Sequence, residues 1–256
     1  MSTRTRYANA LVTGASSGIG RALALELGRR GVPVILAARR HQALIEVANE
    51  ILRSGGTAHV RTMDVSDTEA TVASIRAIDD ELGGLDLIVA NAGVGARRDQ
   101  PAYAWETMRD ALHTNFCGAA ATLTAVLPRM VRRGRGHLVG IGSLSSYGAL
   151  PMSASYCAPK AGLSMLLDCL RLDLVGTGVA VTKVELGFVE TEMVRESTHP
   201  MPQLCAPDVV ARLLADALPN APRKIVYPRA LAAATRALAL LPEPVREAIA
   251  RRSRAE

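Results

Sequence analysis

The chain has 256 residues, of which 49% are hydrophobic and 21% charged, so it can bury the core of one large domain and is not globally disordered. Its net charge of +6 is uneven: residues 223–256 hold eight Arg or Lys against three Glu, while residues 1–222 hold 22 basic and 21 acidic side chains. The body is therefore almost neutral, and eight aromatics are too few for a base-stacking surface, which sets nucleic-acid binding aside.

Apolar runs alternate with helix-length amphipathic segments. Residues 10–13 read as a buried strand ending in Gly14, and residues 21–30 as a helix stopped by Gly31. A second strand over 33–38 leads to a helix over 42–54, ended by Gly55-Gly56. A third strand covers 58–63, and Asp67 caps a helix running to Leu82. Residues 85–90 form a fourth strand. Segments 105–115 and 118–133 read as helices, with Gly134 and Gly136 breaking the pattern before a fifth strand at 137–141. A long helix at 155–174, a sixth strand at 179–186, a helix at 208–217 and a short strand at 224–227 follow. Near-continuous apolar strands separated by helices predict an α/β fold. We expect a single-domain, Rossmann-type, doubly wound parallel sheet with helices on both faces over residues 1–228. A basic, Ala/Leu/Arg-rich helical extension follows over 229–256.

Cys117, Cys157, Cys169 and Cys205 show no CxxC and no metal-ligand spacing, so reduced, buried thiols, a cytoplasmic chain and no metal are expected. No stretch has 18 consecutive apolar residues, and residues 1–7 are polar with no signal-peptide core. Of 30 cations, 27 are Arg and three are Lys (Lys160, Lys183, Lys224), and there are 42 Ala. Arg abundance in so biased a chain carries little meaning by itself.

Between the first strand and the first helix lies Thr13-Gly14-Ala15-Ser16-Ser17-Gly18-Ile19-Gly20. Gly14 permits a sharp turn out of the strand, while Gly18 and Gly20 let backbone approach a ligand and let the helix pack on the sheet. The helix N-terminus then offers N–H groups and partial positive charge to a pyrophosphate. The spacing is GxxxGxG rather than GxGxxG. At the end of the second strand, where an NAD site places an acid for the ribose hydroxyl, the chain reads Ala38-Arg39-Arg40. Two guanidinium groups suit a 2′-phosphate instead, so NADP(H) is favoured over NAD(H). The competing reading is two solvated surface arginines.

Further on come Asp64-Val65, Asn91-Ala92-Gly93, Asn115, Ser143, Tyr156-x-x-x-Lys160 and Gly187-Phe188-Val189-x-Thr191. With the Thr13–Gly20 loop, this ordered set resembles the short-chain dehydrogenase/reductase family over residues 8–191. Tyr156 and Lys160 are four apart and share a helix face. A phenol of ordinary pKa near about 10 is a poor base, and a nearby ammonium lowers that value. Tyr156 can then exchange a proton with a substrate oxygen while hydride moves at nicotinamide. Ser143, just past the fifth strand, would donate to the same oxygen, with Ser145 and Ser146 as rivals for that place. The resemblance implies that Lys160 also holds the nicotinamide ribose, that Asn115 anchors a proton-carrying water chain, and that Asp64, beside Val65, meets adenine. It implies that Asn91, Ala92 and Gly93 lie near the cofactor, that Val189 backbone meets the carboxamide, and that Thr191 steadies the cofactor. The family often has Pro-Gly after the sixth strand; here it is Leu186-Gly187.

These readings imply an NADP(H)-dependent oxidoreductase acting on a small-molecule carbonyl or secondary alcohol. The alternatives are a non-catalytic NADP-sensing regulator or scaffold, or a lipid- or steroid-type enzyme at a membrane surface. Segments 144–152 and 192–205 should wall the substrate, with Tyr147 either lining the pocket or packing. The resemblance implies that segments 118–130 and 162–174 pair between subunits of a homodimer or homotetramer. In the tail, Leu231, Leu238 and Leu241 share a stripe interrupted by Arg236, followed by Arg246, Arg251, Arg252 and Arg254. That segment could lie on anionic lipid, cover the substrate cleft or a neighbouring subunit, or pack on its own domain.

Overall fold

A computed structural model of the chain describes residues 7–95, 104–194 and 201–252. Its seven strands are β1 (Ala10–Thr13), β2 (Val34–Ala38), β3 (Ala58–Thr62), β4 (Leu87–Ala90), β5 (Gly136–Ser143), β6 (Val179–Leu186) and β7 (Lys224–Tyr227). They form one sheet in the order β3-β2-β1-β4-β5-β6-β7, and every pairing is parallel. Between β1 and β4 the direction of winding reverses, which opens a crevice at the carboxyl ends of the strands.

Period-two alternation divides the strands between two cores. Val12, Val34, Leu36 and Val89 face helices α1 (Gly18–Arg29), α2 (His41–Arg53) and α8 (Pro207–Ala217), against Leu23, Ile51 and Leu214. Leu11, Ile35, Ile88 and Leu138 face α3 (Thr68–Glu81), α5 (Ala119–Thr124) and α7 (Ala154–Asp173), against Ile75, Leu123 and Leu167. Both faces are covered, so the strands are apolar on both sides, as the sequence predicts.

The expected helices over 105–115 and 118–133 are divided differently. Helix α4 (Trp105–Leu112) passes into a π-helical segment (His113–Gly118), then α5, and α6 (Leu127–Arg133) begins afresh. Val126 leaves helical geometry at φ −122° and ψ 10°, and Pro128, which lacks an N–H, sits in the first turn of α6. The expectation of buried thiols also fails in part: Cys157 is buried, Cys117 and Cys205 are half-buried and Cys169 is exposed, all of them free.

One buried acid fixes α6 to α3. Asp79 accepts from Arg133 at 2.9 Å through each oxygen, from the Leu85 N–H at 2.8 Å and from Arg129 at 3.3 Å. Burial pushes its carboxyl up, but the bonds from Arg133, Leu85 and Arg129 outweigh burial and hold it below its ordinary value. A lowered folded-state pKa gives stability that is present above the unfolded value and lost as pH falls through the folded one. We therefore expect Asp79→Ala to lose about 2–3 kcal/mol at neutral pH in urea unfolding. The difference from the unmodified chain should close as pH drops below the usual carboxylate value of about 3.9.

Candidate active site

The crevice is a cavity of about 1090 Å³. At one end lies the loop from β1 to α1. Gly14 and Gly18 have φ of +68° and +54°, which a side chain would strain. A Cβ on Gly14 would stand 2.9 Å from the Ala92 backbone, and one on Gly18 would stand 2.9 Å from the Thr191 side chain. Gly20 does not line the cavity; it lies against the Gly14 carbonyl and the Asn91 amide, where no Cβ fits. Asn91 ties the loops together, its amide donating to the Thr13 carbonyl at 2.9 Å. Thr13 Oγ1 accepts from the N–H groups of Asn91 and Ala92 at 3.1 and 3.2 Å. The result is a bare backbone cradle before a helix N-terminus, shaped for phosphate groups.

At the other end β5 and α7 bring Ser143, Tyr156 and Lys160 together on the cavity wall. The Ser143 side chain faces the Tyr156 phenol closely enough to pull its pKa down, whereas Ser146 Oγ donates to Glu185 at 3.4 Å and the Ser145 N–H donates to Ser143 Oγ at 3.2 Å. Ser146 is thus engaged by Glu185, while Ser145 borders the cavity together with Ser143. Lys160 is 5% exposed; its Nζ donates to the Ile141 carbonyl at 2.8 Å and lies 5.9 Å from the Tyr156 ring centre. Burial lowers the Lys160 pKa to about 8. The lowered phenol pKa expected for Tyr156 is not found. Burial dominates and pushes the phenol up, with only the Ser143 bond pulling it down. The ammonium is engaged by the Ile141 carbonyl rather than by the phenol oxygen, so in this arrangement the Tyr156 phenol is held protonated.

Asn115 sits behind the cavity in the π-helical segment, 1% exposed. Its Oδ1 accepts from the Val94 N–H at 2.7 Å and its Nδ2 donates to the Val94 carbonyl at 2.9 Å. Both ends of the amide thus hold the turn after Gly93.

Arg39 and Arg40 line the cavity as expected, but each faces a carboxylate. Arg40 reaches Glu192 at 3.0 Å and Ser16 Oγ at 3.3 Å, and Arg39 stands 3.9 Å from Asp64. Asp64 Oδ1 accepts from the Ser66 N–H and hydroxyl at 3.0 and 2.8 Å, while Asp67 caps α3 as predicted. Ser16, Ser17, Ile19, Val65, Ala92, Gly93, Gly187, Val189 and Thr191 all border the cavity.

The family model of the short chain dehydrogenases matches residues 8–202. An uncharacterized oxidoreductase of Myxococcus xanthus (strain DK1622) is 46% identical over 248 residues, covering 97% of this chain and 98% of the relative. A variant actinorhodin polyketide ketoreductase solved with NADPH superposes with a TM-score of 0.77 at 30% identity, over 88% of this chain and 97% of that one. The alcohol dehydrogenase of Thermococcus sibiricus, solved with 5-hydroxy-NADP, gives 0.74 at 26% identity, over 85% and 94%. The chain belongs to the short-chain dehydrogenase/reductase family. It is an oxidoreductase of Rossmann-type fold.

In this short-chain dehydrogenase/reductase the replacement of Pro-Gly by Leu186-Gly187 has a visible counterpart. Leu186 is buried in the core, and a Cβ on Gly187 would meet Leu231 at 2.8 Å and Pro228 at 3.0 Å. Leu231 belongs to α9 (Arg229–Ala239), whose Leu231, Thr235 and Leu238 line the cavity. Helix α9 thus covers the cleft of its own domain, with Leu231 and Leu238 of the predicted stripe turned inward. Arg254 and residues 195–200 of the expected substrate wall lie outside the described residues. Tyr147 does not border the cavity but packs between Lys224 and Arg236. Covering the cleft is one of the places the sequence offers for this segment, on the spacing of Leu231 and Leu238, and α9 takes it. No helix among the described residues is long and apolar enough to cross a membrane.

Proposed function

We propose that this enzyme interconverts a carbonyl compound and a secondary alcohol using NADP(H). The observation that carries the reading is one cavity with the glycine cradle and Arg39/Arg40 at one end and Ser143, Tyr156 and Lys160 at the other. The NADPH and 5-hydroxy-NADP complexes of similar proteins support the cofactor. So does the absence of an acid after Ala38. The cradle suits the group, because a side chain at Gly14 or Gly18 would fill it. Ser16, Arg39 and Arg40 would hold its phosphates, and Asn91, Val189 and Thr191 would border its remainder.

The bound nicotinamide supplies the hydride in reduction and accepts it in oxidation. Ser143 orients the substrate oxygen by hydrogen bonding. Tyr156, kept protonated by burial, gives its proton to that oxygen as reduction proceeds. Lys160 keeps a positive charge beside the site up to about pH 8. Asn115 holds the turn after Gly93 against which the site is built. Because the phenol is raised, carbonyl reduction should be flat through neutral pH and fall above about pH 8 as Lys160 loses its proton. Alcohol oxidation needs the phenolate and should rise with pH over the same range. A panel of ketones assayed with NADPH and NADH side by side tests the reading, and a strong NADH preference would remove the role of Arg39 and Arg40.

We also propose a homodimer or homotetramer, since α7 and the turn after it leave Met165, Leu172 and Val175 exposed at 64%, 64% and 76%. A mass measurement in solution that finds only monomer would overturn it. We place the enzyme in the cytoplasm on its four free cysteines, which fit a reducing compartment, and cell fractionation checks this.

A further inference from the structure

Strand β6 carries Lys183 and Glu185 among apolar residues, and both are buried. Glu185, 1% exposed, accepts from the Tyr147 hydroxyl and pairs with Lys224. Ser164 Oγ and Ser146 Oγ donate to it at 3.3 and 3.4 Å. The Tyr147 ring lies between Lys224 Nζ, 4.9 Å from its centre, and the Arg236 guanidinium, 4.5 Å from its centre. Arg236, on α9, also donates to the Tyr147 oxygen at 2.9 Å. A chain of contacts therefore runs from a carboxylate buried under the sheet, through a phenol, to the C-terminal helix. Buried ionic groups add little net stability but fix geometry. The geometry fixed here is the seat of α9.

Two glycines support the same seat. A Cβ on Gly148 would stand 2.8 Å from the Ala239 Cβ, and one on Gly187 would stand 2.8 Å from Leu231. Either would push α9 outward. On α9, Leu231, Thr235 and Leu238 share the face turned to the cavity, and Arg236 lies on the adjoining face. We propose that α9 is the substrate-selecting wall of this cavity, clamped by Arg236, Tyr147 and Glu185, and that the site takes a carbonyl compound with an extended apolar body. The proposal rests on the carbonyl-reducing reading of the site.

Charge placement gives the substrate class. Among the described lining residues the charged ones are Arg39, Arg40, Asp64, Lys160 and Glu192. Each stands at the cofactor loops or the reaction centre, and Arg40 and Glu192 pair with each other. The described lining also holds Leu150, Met152, Met193, Leu231 and Leu238, and the Thr235 hydroxyl donates to the Leu231 carbonyl at 2.9 Å. Among the described residues none of these would anchor a carboxylate or phosphate, and an alkyl or alicyclic body packed on them would be buried.

The test is a series of methyl ketones of increasing alkyl length, assayed with NADPH on the full chain, Leu238→Trp, Arg236→Met and Arg236→Lys. In the unmodified chain kcat/KM should rise with alkyl length. Leu238→Trp should lower the ratio of long-chain to short-chain kcat/KM at least about tenfold. Arg236→Met should raise KM for the long ketones while kcat changes less, with the NADPH dissociation constant held. Arg236→Lys should recover most of that loss, which a general folding defect would not show. An unaltered length preference in both Leu238→Trp and Arg236→Met overturns the proposal. If no ketone is turned over by any form, the reaction reading fails, and calorimetric titration with the same ketones still decides the wall. Affinity that grows with alkyl length in the unmodified chain but not in Leu238→Trp supports it; affinity independent of length in both overturns it.

Discussion

Replacing Tyr156 with Phe should reduce carbonyl turnover by about a thousandfold, the middle of the range for a lost general acid, while NADPH binds as before. The substitution removes one oxygen and leaves the ring. The other titratable group at this end of the cavity is Lys160, and its Nζ is engaged by the Ile141 carbonyl at 2.8 Å. No second proton donor is therefore positioned on the substrate oxygen, since Ser143 can orient but is a far weaker acid. The loss should fall on kcat, because the phenol acts on charge that develops as the carbonyl is reduced. Fluorescence titration with NADPH separates this from misfolding: an unchanged dissociation constant with collapsed turnover is the expected pair of results. Near-normal turnover would remove Tyr156 from the mechanism.

The second large effect is expected at the cofactor's other end. A charge-assisted hydrogen bond contributes about 1.5–3 kcal/mol, and solvent screening reduces this at Arg39 and Arg40, whose side chains are 66% and 51% exposed. About tenfold per arginine is then expected, or roughly a hundredfold in KM for NADPH when both are changed to Ala. The KM for NADH should barely move, because no 2′-phosphate is involved. Each guanidinium already faces a carboxylate, Asp64 or Glu192, yet offers five donors and can serve a phosphate as well. Equal losses with both cofactors would mean that the arginines only hold the Ser16 and Glu192 loops in place.

Much of this could be read from the chain before folding was considered. Strands β1, β6 and β7 occur where the sequence predicts them, β1 because a strand buried on both faces leaves an uninterrupted apolar signal. Tyr156 and Lys160 were recognisable because one helical turn separates them, and Ser143 because it ends a strand. What stayed hidden depends on contacts distant in sequence. The π-helical segment at His113–Gly118 places Asn115 against Val94 and brings Gly118 so close to Val65 that no Cβ fits, and neither demand leaves a trace in local periodicity. The clamp joins Arg236 to Tyr147 across 89 positions. The basic tail, set apart by its charge and its leucine stripe, bonds one exposed arginine, Arg236, to Tyr147. The lysines told more than their number suggested. Lys160 stands in the site bonded to the Ile141 carbonyl, and Lys183 and Lys224, on β6 and β7, pair with Asp168 and Glu185, in a chain that otherwise uses arginine.

The most direct measurement follows the hydride itself. NADPH carrying deuterium at the transferable position of the nicotinamide should place that deuterium on the carbinol carbon of the alcohol formed from an apolar ketone. Mass spectrometry of the product should show it with the unmodified chain and lose it with Tyr156→Phe. A protein that binds labelled NADPH tightly, yet passes deuterium to no carbonyl in the series, would be a sensor or scaffold rather than a reductase.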